Sequence, residues 1–163
     1  MSMPGKAGVH GLILHASAWA REELVVQSEL QAALEAQSAA VRERDPAVLE
    51  AATERVDAAH GQAIASDARR AKLFERFAEC WGVAPSTLTL RSICVRAGEG
   101  AGSLVQLREE LRTAATQVQT TARRVGAELR MHRRVTIDVL GTLLGQDEEG
   151  NVQGSGALLS TEA

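Results

Sequence analysis

The chain has no tyrosine, and only two phenylalanines and two tryptophans among its 163 residues. A core with so little aromatic bulk must be filled by alanine, leucine and valine, which suits closely packed helices and a thin, elongated core. There are only three prolines, few runs of β-branched residues and no apolar–polar alternation, which excludes a sheet. The two cysteines, Cys80 and Cys94, lie fourteen apart without a CxxC spacing and read as reduced, buried small hydrophobes. No apolar run approaches the roughly 20 residues that a membrane span needs. The segment Gly11–His15 is too short, and wrongly flanked, for a signal peptide. These absences lead us to expect a cytoplasmic, all-α protein. The net charge of −3 carries no basic footprint for nucleic acid, and residues 146–163 alone hold −4, which leaves the remainder near neutral.

The strongest positive signal lies in the last third. Leu104, Leu111, Val118, Val125, His132 and Val139 recur every seven residues, and a second row of Leu107, Ala114, Ala115, Ala122, Leu129, Leu140 and Leu143 fills the gaps. Such spacing puts one apolar stripe along a helix and lets that stripe meet a partner helix. A helix from Ser103 to Gly145 has 43 residues, roughly 65 Å at about 1.5 Å per residue. That is longer than a compact domain of this size requires, so the helix packs on another long helix or presents surface to a partner.

Upstream, residues 1–9 read as a mobile start. A first helix is expected to begin between His10 and Ser17 and to reach about Arg44, with Trp19, Leu24, Val26, Leu30, Ala33, Leu34, Ala40 and Val41 inward. Val25 broadens that stripe, and Glu22 and Glu23 face solvent. Asp45-Pro46 marks a tight reversal, because Asp caps a helix start and proline at the first helical position forfeits no hydrogen bond. The second helix carries Leu49, Ala52, Val56, Ala59, Ala63, Ile64, Ala71, Phe74, Phe77, Ala78 and Trp81, and stops near Gly82. Ser86 caps a short element bearing Leu88, Leu90, Ile93 and Val95. A glycine-rich joint at residues 98–102 follows, and Ser103 caps the last helix. The fold class is therefore an all-α, elongated antiparallel bundle of three long helices and one short one. Residues 10–145 form the helical domain, and residues 146–163 form an acidic, glycine-rich tail disordered in the free protein.

Enzyme-like constellations are thin. Asp57 with His60, and Glu128 with His132, are helical carboxylate–histidine pairs, but no Glu-x-x-His motif accompanies them, so no metal is expected. His60-Gly61 lacks the lysine-glycine pair that commonly trails a phosphoryl-accepting histidine; His10 and His15 lie near the mobile start. No catalytic residue and no cofactor is assigned. Arg123, Arg124, Arg130, Arg133 and Arg134 read either as a solvated face or as the rim of an apolar groove that meets acidic groups on a protein partner. His132 in the seam either sets helix register or marks where the seam leaves the core. Beyond it the apolar residues have no evident partner if the other helices are shorter, and an exposed apolar strip rimmed by polar groups marks an interface. The expected partner-binding residues are Leu129, His132, Val135, Thr136, Val139, Leu140, Leu143 and Leu144.

Over roughly residues 12–155 the arrangement resembles the FlgN-type flagellar export chaperones. The local match is Gly126-Ala127-Glu128-Leu129, then Val135, Val139-Leu140 and Leu143-Leu144-Gly145, on a family pattern of Asn-Gly-x-Leu-Ile, paired leucines and a closing glycine. Asp45-Pro46 with Leu49 resembles the start of the family's second helix. Val125 stands where the family carries asparagine, and the family's tail tyrosine is absent. The resemblance implies a cytosolic, non-catalytic protein that binds hook–filament junction subunits, also called hook-associated proteins. It would keep them unassembled and deliver them to the flagellar type III secretion apparatus. The alternative from another class is a coiled-coil structural or scaffolding protein, with a homodimer as its simplest form.

Overall fold

A computed structural model describes residues 6–144 of the chain, and the side chains of 8–144. The protein is all-α. Helix α1 spans Lys6–Glu43, α2 spans Pro46–Trp81, α3 spans Leu90–Ala97 and α4 spans Gly102–Leu143, with 3-10 turns at Pro85–Thr87 and Gly98–Ala101. The chain divides into two units, residues 1–125 and 126–163. The tail expected to be disordered lies outside the described residues.

Helix α1 starts earlier than expected, which removes residues 6–9 from the expected mobile start. Gly8 and Gly11 sit inside it, at a cost of about 1 kcal/mol each against alanine. Burial of Leu12, Ile13 and Ala16 immediately afterwards offsets that cost. At the other end Arg44 takes a left-handed φ of 58°. Asp45 then caps α2, its Oδ1 accepting from the Ala47 amide at 2.9 Å and the Val48 amide at 3.4 Å, with Pro46 at the first helical position. The reversal therefore takes two residues.

Two hydrogen-bonded pairs give the hairpin its direction. Trp19 pairs with Ser66, and Gln37 Nε2 donates to Thr53 Oγ1 at 3.0 Å, so numbers rise along α1 as they fall along α2. The helices are antiparallel. Between them runs a seam with its own seven-residue periodicity: Leu12, Trp19, Val26, Ala33 and Ala40 from α1, and Ala52, Ala59, Ser66 and Leu73 from α2. Small residues in such a seam let the backbones come close, and Cα–Cα separations within 8 Å recur along it.

Helix α4 runs parallel to α1, since Ser17 Oγ lies 3.4 Å from Ser103 Oγ and Gln31 Nε2 donates to Thr121 Oγ1 at 2.9 Å. Its contact face is leucine-rich, and those side chains hold it further off than the alanine seam holds α2. Leu104, Leu107 and Leu111 join Leu12, Ile13, Trp19, Leu73, Phe77, Leu88 and Ile93 in the main core. Phe77 and Trp81 stack at 5.0 Å between ring centroids. Full burial of a side chain such as Phe77 contributes about 1.5–3 kcal/mol.

Several expected positions differ. Val25, Ile64, Ala71 and Val95 are exposed; on α1 and α2 the seam follows Val26 and the Ala52, Ala59, Ser66 and Leu73 row instead, and on α3 burial falls on Ile93 and Cys94. Glu22 is exposed as expected, but Glu23 is half-buried and one of its carboxylate oxygens is inaccessible. Ser86 does not cap the short helix. Thr89 does, through a reciprocal capping box in which its hydroxyl accepts from the Ser92 amide at 3.0 Å and Ser92 Oγ accepts from the Thr89 amide at 2.9 Å. The glycine-rich joint is an ordered 3-10 turn with Ala101 fully buried. Ser103 lies inside α4, which begins at Gly102.

Candidate functional site

The seven-residue row of α4 changes environment along its length. Leu104, Leu111 and Val125 are buried, the last at 1% exposure, and no described residue after Val125 is buried. His132 is half-buried, whereas Val139 is 51% exposed. The flanking row departs earlier: Leu107 is buried and Ala114 half-buried, but Ala115 and Ala122 are already exposed; Leu129 is half-buried, and Leu140 and Leu143 are 49% and 76% exposed. One helical face is thus core up to Val125 and surface beyond Leu129.

All eight expected partner-binding residues lie on this helix or at its end, and none is buried. Leu129 and His132 are half-buried, and Val135, Thr136, Val139, Leu140, Leu143 and Leu144 are exposed. Sequence reasoning missed Ile137, which is exposed and extends the strip. It falls three residues before Leu140 and seven before Leu144, the same-face spacing that would have found it. Met131 is also exposed, but off the strip.

The threonine hydroxyls on this segment bond to their own helix. Thr136 Oγ1 donates to the His132 carbonyl at 3.0 Å, and Thr142 Oγ1 donates to the Asp138 carbonyl at 3.0 Å. The threonine hydroxyls therefore present no unpaired donor to a partner. At about 100° per residue, Arg130 and Arg134 fall on one edge of the strip, with Arg133 inside that edge. All three are exposed, and among the described residues they form no ion pair. Asp138 is the only carboxylate between Leu129 and Leu144.

No protein-family model, curated protein or solved structure matches this chain.

The other sequence candidates do not assemble. Asp57 and His60 are both exposed on α2, His10 and His15 are exposed on α1, and among the described residues no three His, Cys, Asp or Glu side chains gather as metal ligands. A groove of about 750 Å³ opens elsewhere, lined by Trp19, Glu23, Leu90, Arg108, Leu111 and Arg112 among others. Its charges largely neutralise one another. Glu109 takes hydrogen bonds from Arg108 and, at 3.1 Å, from Arg112, while Arg70 pairs with Asp67 at 2.5 Å. The hydrogen bond from Arg108 is the main cause holding the Glu109 carboxyl below its ordinary range, and the same bond raises Arg108. Both cysteines are free; Cys94 is buried, and desolvation pushes its thiol pKa up against a smaller opposing pull from Arg108. Cys80 is half-buried rather than buried. Among the described residues, no helix is long and apolar enough to cross a membrane.

Proposed function

We propose that the protein is a non-catalytic, cytoplasmic export chaperone of the FlgN type. In this reading it captures hook–filament junction subunits on the Leu129–Leu144 strip of α4, keeps them unassembled and delivers them to the flagellar type III secretion apparatus. The observation that supports this reading is the passage of one helical face from core at Val125 to bare surface at Val139. A row of valine and leucine that continues past its own core is stable in water only at a free-energy cost, which a partner helix removes by laying its apolar side along the row. The resemblance at Gly126–Leu129 and Leu143–Gly145 supplies the identity of that partner. The arrangement it belongs to is an antiparallel bundle of three long helices and one short one, which the α1/α2 pairing supports.

The coiled-coil scaffold is the weaker reading. Two copies joined in parallel through this face would set Arg130, Arg133 and Arg134 of one against the same residues of the other, and like charges across a seam are destabilising. Titration of the full chain with synthetic C-terminal helices of hook–filament junction subunits tests the proposal. We expect micromolar binding that is lost on Leu140→Asp plus Leu143→Asp; absence of binding to the unaltered chain would refute it.

A further inference from the structure

We propose that the exposed strip of α4 is covered, in the free protein, by the chain's own acidic end, residues 146–163. Three observations converge on this occupant. The strip ends where the outlying segment begins, so tethering alone raises the local concentration of that segment to the millimolar range. The edge of the strip is cationic through Arg130, Arg133 and Arg134, while residues 146–163 hold four carboxylates and no lysine or arginine. The same segment carries Val152 and the pair Leu158-Leu159, which match an apolar row in chemistry.

The reach is sufficient. From Leu143, where α4 ends, back to Arg130 is thirteen helical residues, about 20 Å at 1.5 Å per residue, which about six extended residues cover. A turn at Gly145 starts the return, and Glu149, about 14 Å further on when extended, then comes within side-chain reach of Arg134, about 14 Å back from the helix end. Gly150, Gly154 and Gly156 leave the rest of the segment free to follow the helix, and Leu158-Leu159 then settles on the strip. A second copy is the less suitable occupant, because it would bring further arginines to an edge already positive. The contact itself is independent of the export reading; only its consequence, competition with a client for the strip, rests on that reading. With a millimolar effective concentration and a segment affinity near 100 μM, that competition weakens client binding by about tenfold.

Hydrogen exchange on the full chain without client tests the contact, comparing the backbone amides of residues 129–144 in the unaltered protein and in Asp147→Asn/Glu148→Gln/Glu149→Gln/Glu162→Gln. Acids beside a helix C-terminus oppose its dipole, so neutralising them without any contact would firm the helix end and slow exchange. The proposal requires the opposite sign: exchange several-fold faster at 0.1 M salt. The difference should vanish at 1 M, where screening shortens from about 10 Å to about 3 Å. Arg130→Gln/Arg133→Gln/Arg134→Gln should reproduce the acceleration, and the combined variant should add nothing further. Slower or unchanged exchange on neutralisation overturns the proposal. So does protection that grows with protein concentration, which would assign the cover to a second copy. Client binding is measured separately, so loss of the export reading leaves this outcome standing.

Discussion

The indole of Trp19 on α1 donates to both the backbone carbonyl and the hydroxyl of Ser66 on α2, each at 3.2 Å, and both residues are buried. Apart from this pair and Gln37 with Thr53, the seam is lined mainly by alanine, valine and leucine. The pair of Trp19 and Ser66 sets the register of the hairpin, since a shift by one turn would leave the indole N–H buried without an acceptor. Ser66→Ala keeps the carbonyl acceptor and should cost about 1 kcal/mol. Trp19→Ala removes the ring as well and should cost about 3–5 kcal/mol. Urea unfolding followed by far-ultraviolet circular dichroism checks both values and their order.

The two halves of α4 should respond oppositely to the same kind of change. Leu140→Asp plus Leu143→Asp alters exposed side chains and should shift stability by less than about 0.5 kcal/mol for each site. Leu111→Ala, in the core, should cost about 2–5 kcal/mol. A stability loss well beyond the roughly 1.4 kcal/mol that a tenfold contact with residues 146–163 carries would show that these leucines belong to the helical core.

Helix ends provide a third test. Asp45→Ala removes the acceptor for two amides at the start of α2 and should cost about 1 kcal/mol. Gly82 ends the helix at φ 61°, where a Cβ meets no neighbour but the backbone conformation itself is unfavourable. Gly82→Ala should therefore cost about 1–2 kcal/mol through strain alone. Thermal unfolding of the two variants resolves both effects.

The cysteines should separate by reactivity and by pH. Burial raises the Cys94 thiol above its ordinary value, whereas Cys80 is half-buried. Alkylation at mildly alkaline pH should modify Cys80 first, and Cys94 only at the rate of unfolding. Because the folded value of Cys94 is raised, its contribution to stability is complete below the unfolded thiol's pKa and is lost as pH rises through the folded one. Cys94→Ala should flatten the alkaline fall in stability.

Much of this was legible in the residues because it depends on local chemistry. Asp45-Pro46 and Gly82 announce the limits of α2 through capping and through φ, which neighbours in sequence decide. The short helix was misread at its start, since Ser86 and Thr89 are both fair caps and only the partner at Ser92 selects between them. The seam of α2 was misread for a different reason. Ile64 and Ala71 are as apolar as Ala59 and Leu73, and helical spacing alone accommodates either set.

The amino-acid order by itself determined an all-α chain, the reversal at Asp45, and one continuous apolar face from Leu104 to Leu143, because helix propensity, capping and periodicity act over a few residues. Only the tertiary structure decided where that face ceases to be interior. Burial depends on which other helix lies opposite, and nothing in the repeat itself distinguishes Val125, enclosed in the core, from Val139, open to solvent.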